Sequence, residues 1–413
     1  MRILRALRRE DGLAAAAGAA FAACALFHPA SVYRSPAAMD GYFGQEITPG
    51  SWSWPGSWSS TEAPYKYRVL FKGLVDHLAE GLGLVLPHDL GTYWLALVIV
   101  TALSVVFATV ACRRFLAAAG AGGRAQALLV AGWFLMPPVH DAFVLPVQTK
   151  EDFLAYGLLF LALTALLQER FRPVVLWTLA GALTRETLMI IPGVLLIGSR
   201  APRGVKLLGL GVGVACHAGL RLGLGMTDYE VTRSENFDHA LLVAVSLAAV
   251  LGYAWLVCLP RLGWGALRRD AGWILASLRG AGPGSAARQR LEACFLPVLG
   301  LLVLAHLFMG RIVEVRISLL IAPWVLLMLA EGLERADLRR ALPQAAVAAV
   351  VMAAAILLAE RAGLLSQLRG LVNPQIPGFG AQVWWLEAEA QLVLAAALAA
   401  LLRTARSVRS AVS

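Results

Sequence analysis

Apolar residues in this chain come in long uninterrupted blocks, separated by short polar clusters rich in arginine. An α-helix needs roughly 20 apolar residues to cross the hydrocarbon core of a bilayer, and fewer where the layer is locally thin. Blocks of this kind fall at 13–30, 92–111, 124–139, 153–168, 173–184, 187–198, 204–222, 239–259, 293–309, 313–330, 341–360 and 387–402. The pattern predicts an all-α, polytopic membrane protein with about twelve transmembrane helices, one transmembrane domain over 1–413 that ends in a helix pair within 341–402. The blocks 173–184 and 187–198 are short and meet at Thr184, Arg185 and Glu186. They read either as one long helix with a polar centre or as two short helices joined at a bend.

Charge chooses between those two readings. Cytoplasmic loops of membrane proteins carry the excess of Lys and Arg. With the N-terminus inside and a bend at Arg185, the inner side holds 24 of the 36 basic residues and 8 of the 26 acids. A single helix there would export the loop 260–292 with Arg261, Arg268, Arg269, Arg279, Arg288 and Arg290. Two short helices, both termini cytoplasmic and 260–292 a cytoplasmic linker, is the reading that keeps those arginines inside. The opening MRILRALRRE and the apolar run after it lack a small-residue cleavage site and are read as a retained first helix.

Composition agrees and excludes other classes. Of 413 residues, 59% are hydrophobic and 15% charged, whereas a soluble domain carries about 25% charge. A soluble enzyme, a secreted disulfide scaffold and a disordered chain are ruled out. The five cysteines are isolated and show no metal-binding or disulfide spacing. On a soluble protein the net charge of +10 would point to nucleic acid. Here it resolves into a basic inner side and an outer side where acids exceed bases, so no nucleic-acid partner is expected.

Chemistry is then sought among the outer polar residues. The first outer loop, 31–91, contains Asp40 in MDGYF, read as a turn residue or as a carboxylate held near the membrane surface. Trp52, Trp54 and Trp58 follow, with headgroup anchoring or stacking as their alternatives. Within the same loop, 66–82 shows apolar residues at helical spacing, with Lys72, Asp76 and Glu80 on another face. It predicts a helix too short and too charged to span, lying in the interface plane. Lys66 and Arg68 at its start either bind lipid phosphate or snorkel. The second outer loop brings His140, Asp141, Lys150, Glu151 and Asp152 beside two spans. These acids cap a helix or contribute to a site for a divalent cation, Mg²⁺ or Mn²⁺. Arg185 and Glu186 at the bend, and Arg311, Glu314 and Arg316 in GRIVEVR, are ionisable residues at the edge of spans. Such groups pair with other helices or face a polar cavity, and a guanidinium there fits a carboxylate or a phosphate.

Taken together, MDGYF, PYKYRVL, TKEDF, LTRET and RIVEVR in this order resemble the GT-C superfamily of integral-membrane glycosyltransferases, over about residues 10–330 as architecture. No second carboxylate stands beside Asp40 in a paired motif; Glu46 is the nearest. The resemblance implies transfer of a sugar from a polyprenyl-phosphate donor to a glycan, lipid or protein acceptor, on the outer face of a cell (inner) membrane and with inversion. It implies Asp40 as general base and Lys66, Arg68, Arg185 and Arg316 on the donor phosphate. Glu151, Asp152 and Glu186 would then hold the acceptor or a cation. A transporter or flippase of envelope precursors, and a non-catalytic envelope-assembly protein, are the other classes that the same chain accommodates.

Overall fold

The computed structural model describes residues 9–26, 69–136, 139, 152–224, 256, 263–278, 287–308, 320–334, 338–372 and 389–403. Every element among them is helical. Three helices, Gly91–Ala118, Arg203–Leu224 and Arg339–Arg361, are long and apolar enough to cross a membrane, with mean hydropathies of 2.6, 1.5 and 2.2. They mark the chain as a membrane protein.

The chain forms two compact units, one of Met1–Gly120, Val139–Glu230 and Asp270–Val298, the other of Ala121–Pro138, Val231–Arg269 and Leu299–Ser413. The first unit is built around a 29-residue helix, α3 (Leu90–Ala118), flanked by α1 (Arg9–Leu26), α2 (Val69–Gly83) and α5 (Asp152–Leu167). The second contains α4 (Gly123–Phe134), which packs on α12 (Ala322–Glu334), and α13 (Leu338–Arg361), which packs on α14 (Leu364–Val372). A further helix, 389–403, is tied to that pair by Arg369, which bonds Glu360 at 2.9 Å and Glu389 at 2.8 Å. The short amphipathic α14 was not expected from the apolar blocks.

In the first unit, close approach of helices fixes direction and level. A Cβ at Gly18 would sit 2.8 Å from Thr109 Oγ1 and 3.1 Å from Val106 Cα, so α1 meets α3 there with no side chain between them. Asp11 of α1 bonds Arg113 and Arg114 of α3, and α1 is therefore antiparallel to α3. Gly157 of α5 lies under the Phe107 ring beside Ala108, and Phe160 packs on Phe115 with centroids 5.5 Å apart. Hence α5 runs parallel to α3. Small residues permit this approach, as in other membrane helices. Two buried hydroxyls bond backward along their own helices, Thr109 to Val105 O at 2.8 Å and Thr164 to Phe160 O at 2.7 Å. They demand no partner from apolar surroundings.

The helix expected at 66–82 is present as α2, and its apolar face packs on α3. Phe71, Val75 and Ala79 are buried against Ala96, Leu97 and Val100 of α3. The turn 84–89 leaves α2 nowhere to go but back along α3 as a hairpin. Asp89 closes that turn by accepting the Thr92 N–H at 2.9 Å, an N-cap for α3. Asp76, expected on the polar face, is buried with Oδ2 2.8 Å from Lys72 Nζ. Its other oxygen, Oδ1, is buried with no hydrogen-bond partner.

Between 171 and 198 the chain forms two helices, α6 (Phe171–Thr184) and α7 (Ile190–Gly198), joined by a 3-10 turn at Glu186–Met189. Arg185 is extended at φ −160° and ψ 137°, which ends α6. A Cβ on Gly181 would meet Leu188 Cβ at 3.1 Å and Ile191 Cδ1 at 3.3 Å, so the two helices fold back on each other. Helix α8 (Arg203–Leu224) closes over them through Gly209, against Leu195, and Gly213, against Met189.

Candidate functional site

Charged side chains of the first unit gather in two layers, one at each end of its short helices. At one end Asp11 bonds Arg113 and Arg114, Glu169 pairs with Arg290, and Arg288 donates to Ala119 O at 3.0 Å and to Glu292 at 3.0 Å. Burial pushes the Asp11 carboxyl up, but hydrogen bonds from Arg114 and Arg113 outweigh it and hold the group below its ordinary value. Arg288, Arg290 and Glu292 belong to α10 (Ala287–Ala293), which is thereby fastened to the ends of α3 and α5. Glu169 ends α5 with a positive φ of 56°. Arg170 N then bonds Ala165 O at 2.8 Å and Glu169 N bonds Leu166 O at 3.1 Å, the pairing of a Schellman cap.

The other layer is the candidate site. Asp152 opens α5 fully buried, and Arg185, 4% exposed, joins it through Nη1 and Oδ1. Two residues singled out in the sequence, on separate helices, thus form one buried ion pair. Asp152 stands five residues before Gly157, which places the pair beside the stretch of α3 near Val100 and Ala102; Leu154 packs on the cluster that includes Val100. At the same level α1 ends and α2 begins, because α1 is antiparallel to α3 and α2 doubles back along it. The ends of α1, α2 and α5 therefore share one level along α3 with the polar pair.

Glu186 follows Arg185, half-buried in the 3-10 turn and within electrostatic range of His217 on α8. His217 Nε2 is in turn bonded by Arg221 Nη1 one helical turn further on. His217 and Arg221 were not picked out in the sequence. The signal existed: a histidine and an arginine at i, i+4 in the apolar run GVACHAGLRLG, where ionisable residues are costly.

Asp40, Lys66, Arg68, Glu151 and Arg316 lie outside the described residues. Among the described residues no three His, Cys, Asp or Glu side chains come together in a group able to hold a metal ion. Asp152 already faces a guanidinium, and a cation beside it would meet that positive charge. The described donors do not fit Mg²⁺ or Mn²⁺, and no chemical step is drawn through a metal. Chemically, the layer offers a buried Asp152–Arg185 pair beside the half-buried Glu186, His217 and Arg221, a set suited to an anionic group that carries hydroxyls. Compared with known protein families, characterised proteins and solved structures, the chain gives no match.

Proposed function

We propose that this chain is a multi-pass glycosyltransferase of GT-C type, with about twelve spans and both termini on the cytoplasmic side of a cell (inner) membrane. It moves a sugar from a polyprenyl-phosphate donor to a glycan, lipid or protein acceptor on the outer face, with inversion. The observation that carries this reading is the convergence of Asp152, Arg185, Glu186, His217 and Arg221 at one end of the short helices. That end is opposite the arginine-rich layer which the positive-inside rule assigns to the cytoplasm.

In this reading Asp40 accepts the proton of an acceptor hydroxyl as the oxygen attacks the anomeric carbon, and the bond from that carbon to the phosphate oxygen breaks. The leaving polyprenyl phosphate gains negative charge, which Arg185, Lys66, Arg68 and Arg316 neutralise. Asp152 presets the Arg185 fork, and Glu186 and Glu151 orient the acceptor. Chain connectivity supports the grouping: Lys66 and Arg68 directly precede α2, whose first residue lies at the level of the buried pair.

The test is Asp40→Asn in proteoliposomes supplied with lipid-linked sugars. Expression and thermal unfolding should match the parent chain, and transfer should fall by at least about a hundredfold, the low end of what a general base contributes. Undiminished transfer by Asp40→Asn would remove Asp40 from the mechanism and the proposal with it.

A further inference from the structure

The linker assigned to the basic side contains α9 (Trp264–Leu278), which the Asp152–Arg185 layer does not use. Residues i, i+4, i+7 and i+11 share one helix face, and here they are Trp264, Arg268, Ala271 and Leu275. All four are exposed; Trp264 is 80% exposed and Leu275 52%. Gly272, exposed as well, flanks them. Asp270 projects from another face of the helix, is only 2% exposed and lies within electrostatic range of Cys294. Cys294 directly follows α10, the helix fastened to the arginine-rich end through Arg290 and Glu169. The Asp270 side of α9 thus lies near Cys294, and its Trp–Arg–Leu face is exposed.

An indole and a leucine exposed on either side of an arginine match a helix lying in the surface of a bilayer, apolar groups in the acyl boundary and the cation at headgroup level. Charge points the same way. The segment 260–292 holds six arginines against Asp270 and Glu292, and the cytoplasmic leaflet is the anionic one. We propose that α9 is a membrane-surface helix that takes anionic phospholipid headgroups, with Trp264 and Leu275 inserted and Arg268 on the lipid phosphate. This rests on the membrane reading of the chain and is independent of sugar transfer.

Hydrogen exchange of the full-length protein in nanodiscs tests it. Amides of 264–278 should exchange more slowly in bilayers containing phosphatidylglycerol than in phosphatidylcholine alone, while α5 is unchanged. Arg268→Glu should cost about fivefold or more of that protection, since each basic residue at the surface contributes about a fivefold preference, and high salt should do the same. Trp264→Ala, which keeps the charge, should weaken protection in both lipids. Equal exchange in the two bilayers, or protection that survives Arg268→Glu, overturns the proposal. So does protection that appears only when a second protein is added, because the face is then a protein-docking surface.

Discussion

At the scale of single residues the buried pair of Asp152 and Arg185 sets the strictest condition on the first unit. Moving a carboxylate and a guanidinium out of water costs several kcal/mol for each ion, and the pair offsets this only while both are present. Arg185→Met should therefore lower unfolding stability by about 3–5 kcal/mol, because Asp152 loses the cation that faces it in a dry site. The double variant Asp152→Leu, Arg185→Met removes both charges and should regain most of that loss. If Arg185 also works on the donor phosphate, the double variant folds but transfers no sugar. Detergent unfolding curves beside transfer assays check both halves. A double variant no more stable than Arg185→Met would show that the pair is not the source of the loss. Both residues were legible in the sequence, because an ionisable group beside an apolar block has to be explained. Their pairing was not, because they are 33 positions apart and no local pattern links them. His217 and Arg221 were passed over for a related reason: an apolar run reads as a span before its polar members are asked what they face.

At the scale of elements, helices followed from the apolar blocks and the break at Arg185 followed from the sidedness of the arginines. The packing of α2 did not follow. Its sequence shows an amphipathic face, but the same face serves lipid or a neighbouring helix, and only the short turn to α3 decides between them. Close approaches were illegible as well, since a glycine in a span looks alike whether or not a helix crosses it. Two glycines of α1 make that difference measurable. A Cβ at Gly12 meets nothing within 4 Å, whereas one at Gly18 meets the side chain of Thr109 and the backbone of Val106. Gly12→Ala should be neutral or stabilising by up to about 1 kcal/mol, the helix-propensity gain. Gly18→Ala should destabilise by about 1–3 kcal/mol, the cost of overpacking a close contact. Equal unfolding midpoints for the two variants would mean that α1 does not seat on α3 at Gly18.

At the scale of the whole molecule, the separation of the two charged layers in the first unit bears on how that unit sits in a bilayer. At a rise of about 1.5 Å per residue, Asp152 and Glu169 are about 25 Å apart along α5, and Arg172 and Arg185 about 20 Å apart along α6. A typical hydrocarbon core is about 30 Å thick. The bilayer must thin around this unit, or the Asp152–Arg185 layer must sit below the membrane surface, and each costs a fraction of a kcal/mol per ångström of mismatch. The pair is buried in protein, so its charges tolerate depth, but half-buried Glu186 and its neighbours favour a nearer surface. Thermal unfolding in bilayers of graded acyl length should accordingly be highest in thin membranes, with chains of about 14 carbons, and decline toward 20. The Asp152→Leu, Arg185→Met variant, with its polar layer reduced, should shift that optimum to longer chains. An optimum in thick membranes, or one that the double variant leaves in place, would mean that the charged layers do not set the depth of the unit. The same series applied to transfer would then separate what the lipid does to stability from what it does to the proposed sugar transfer.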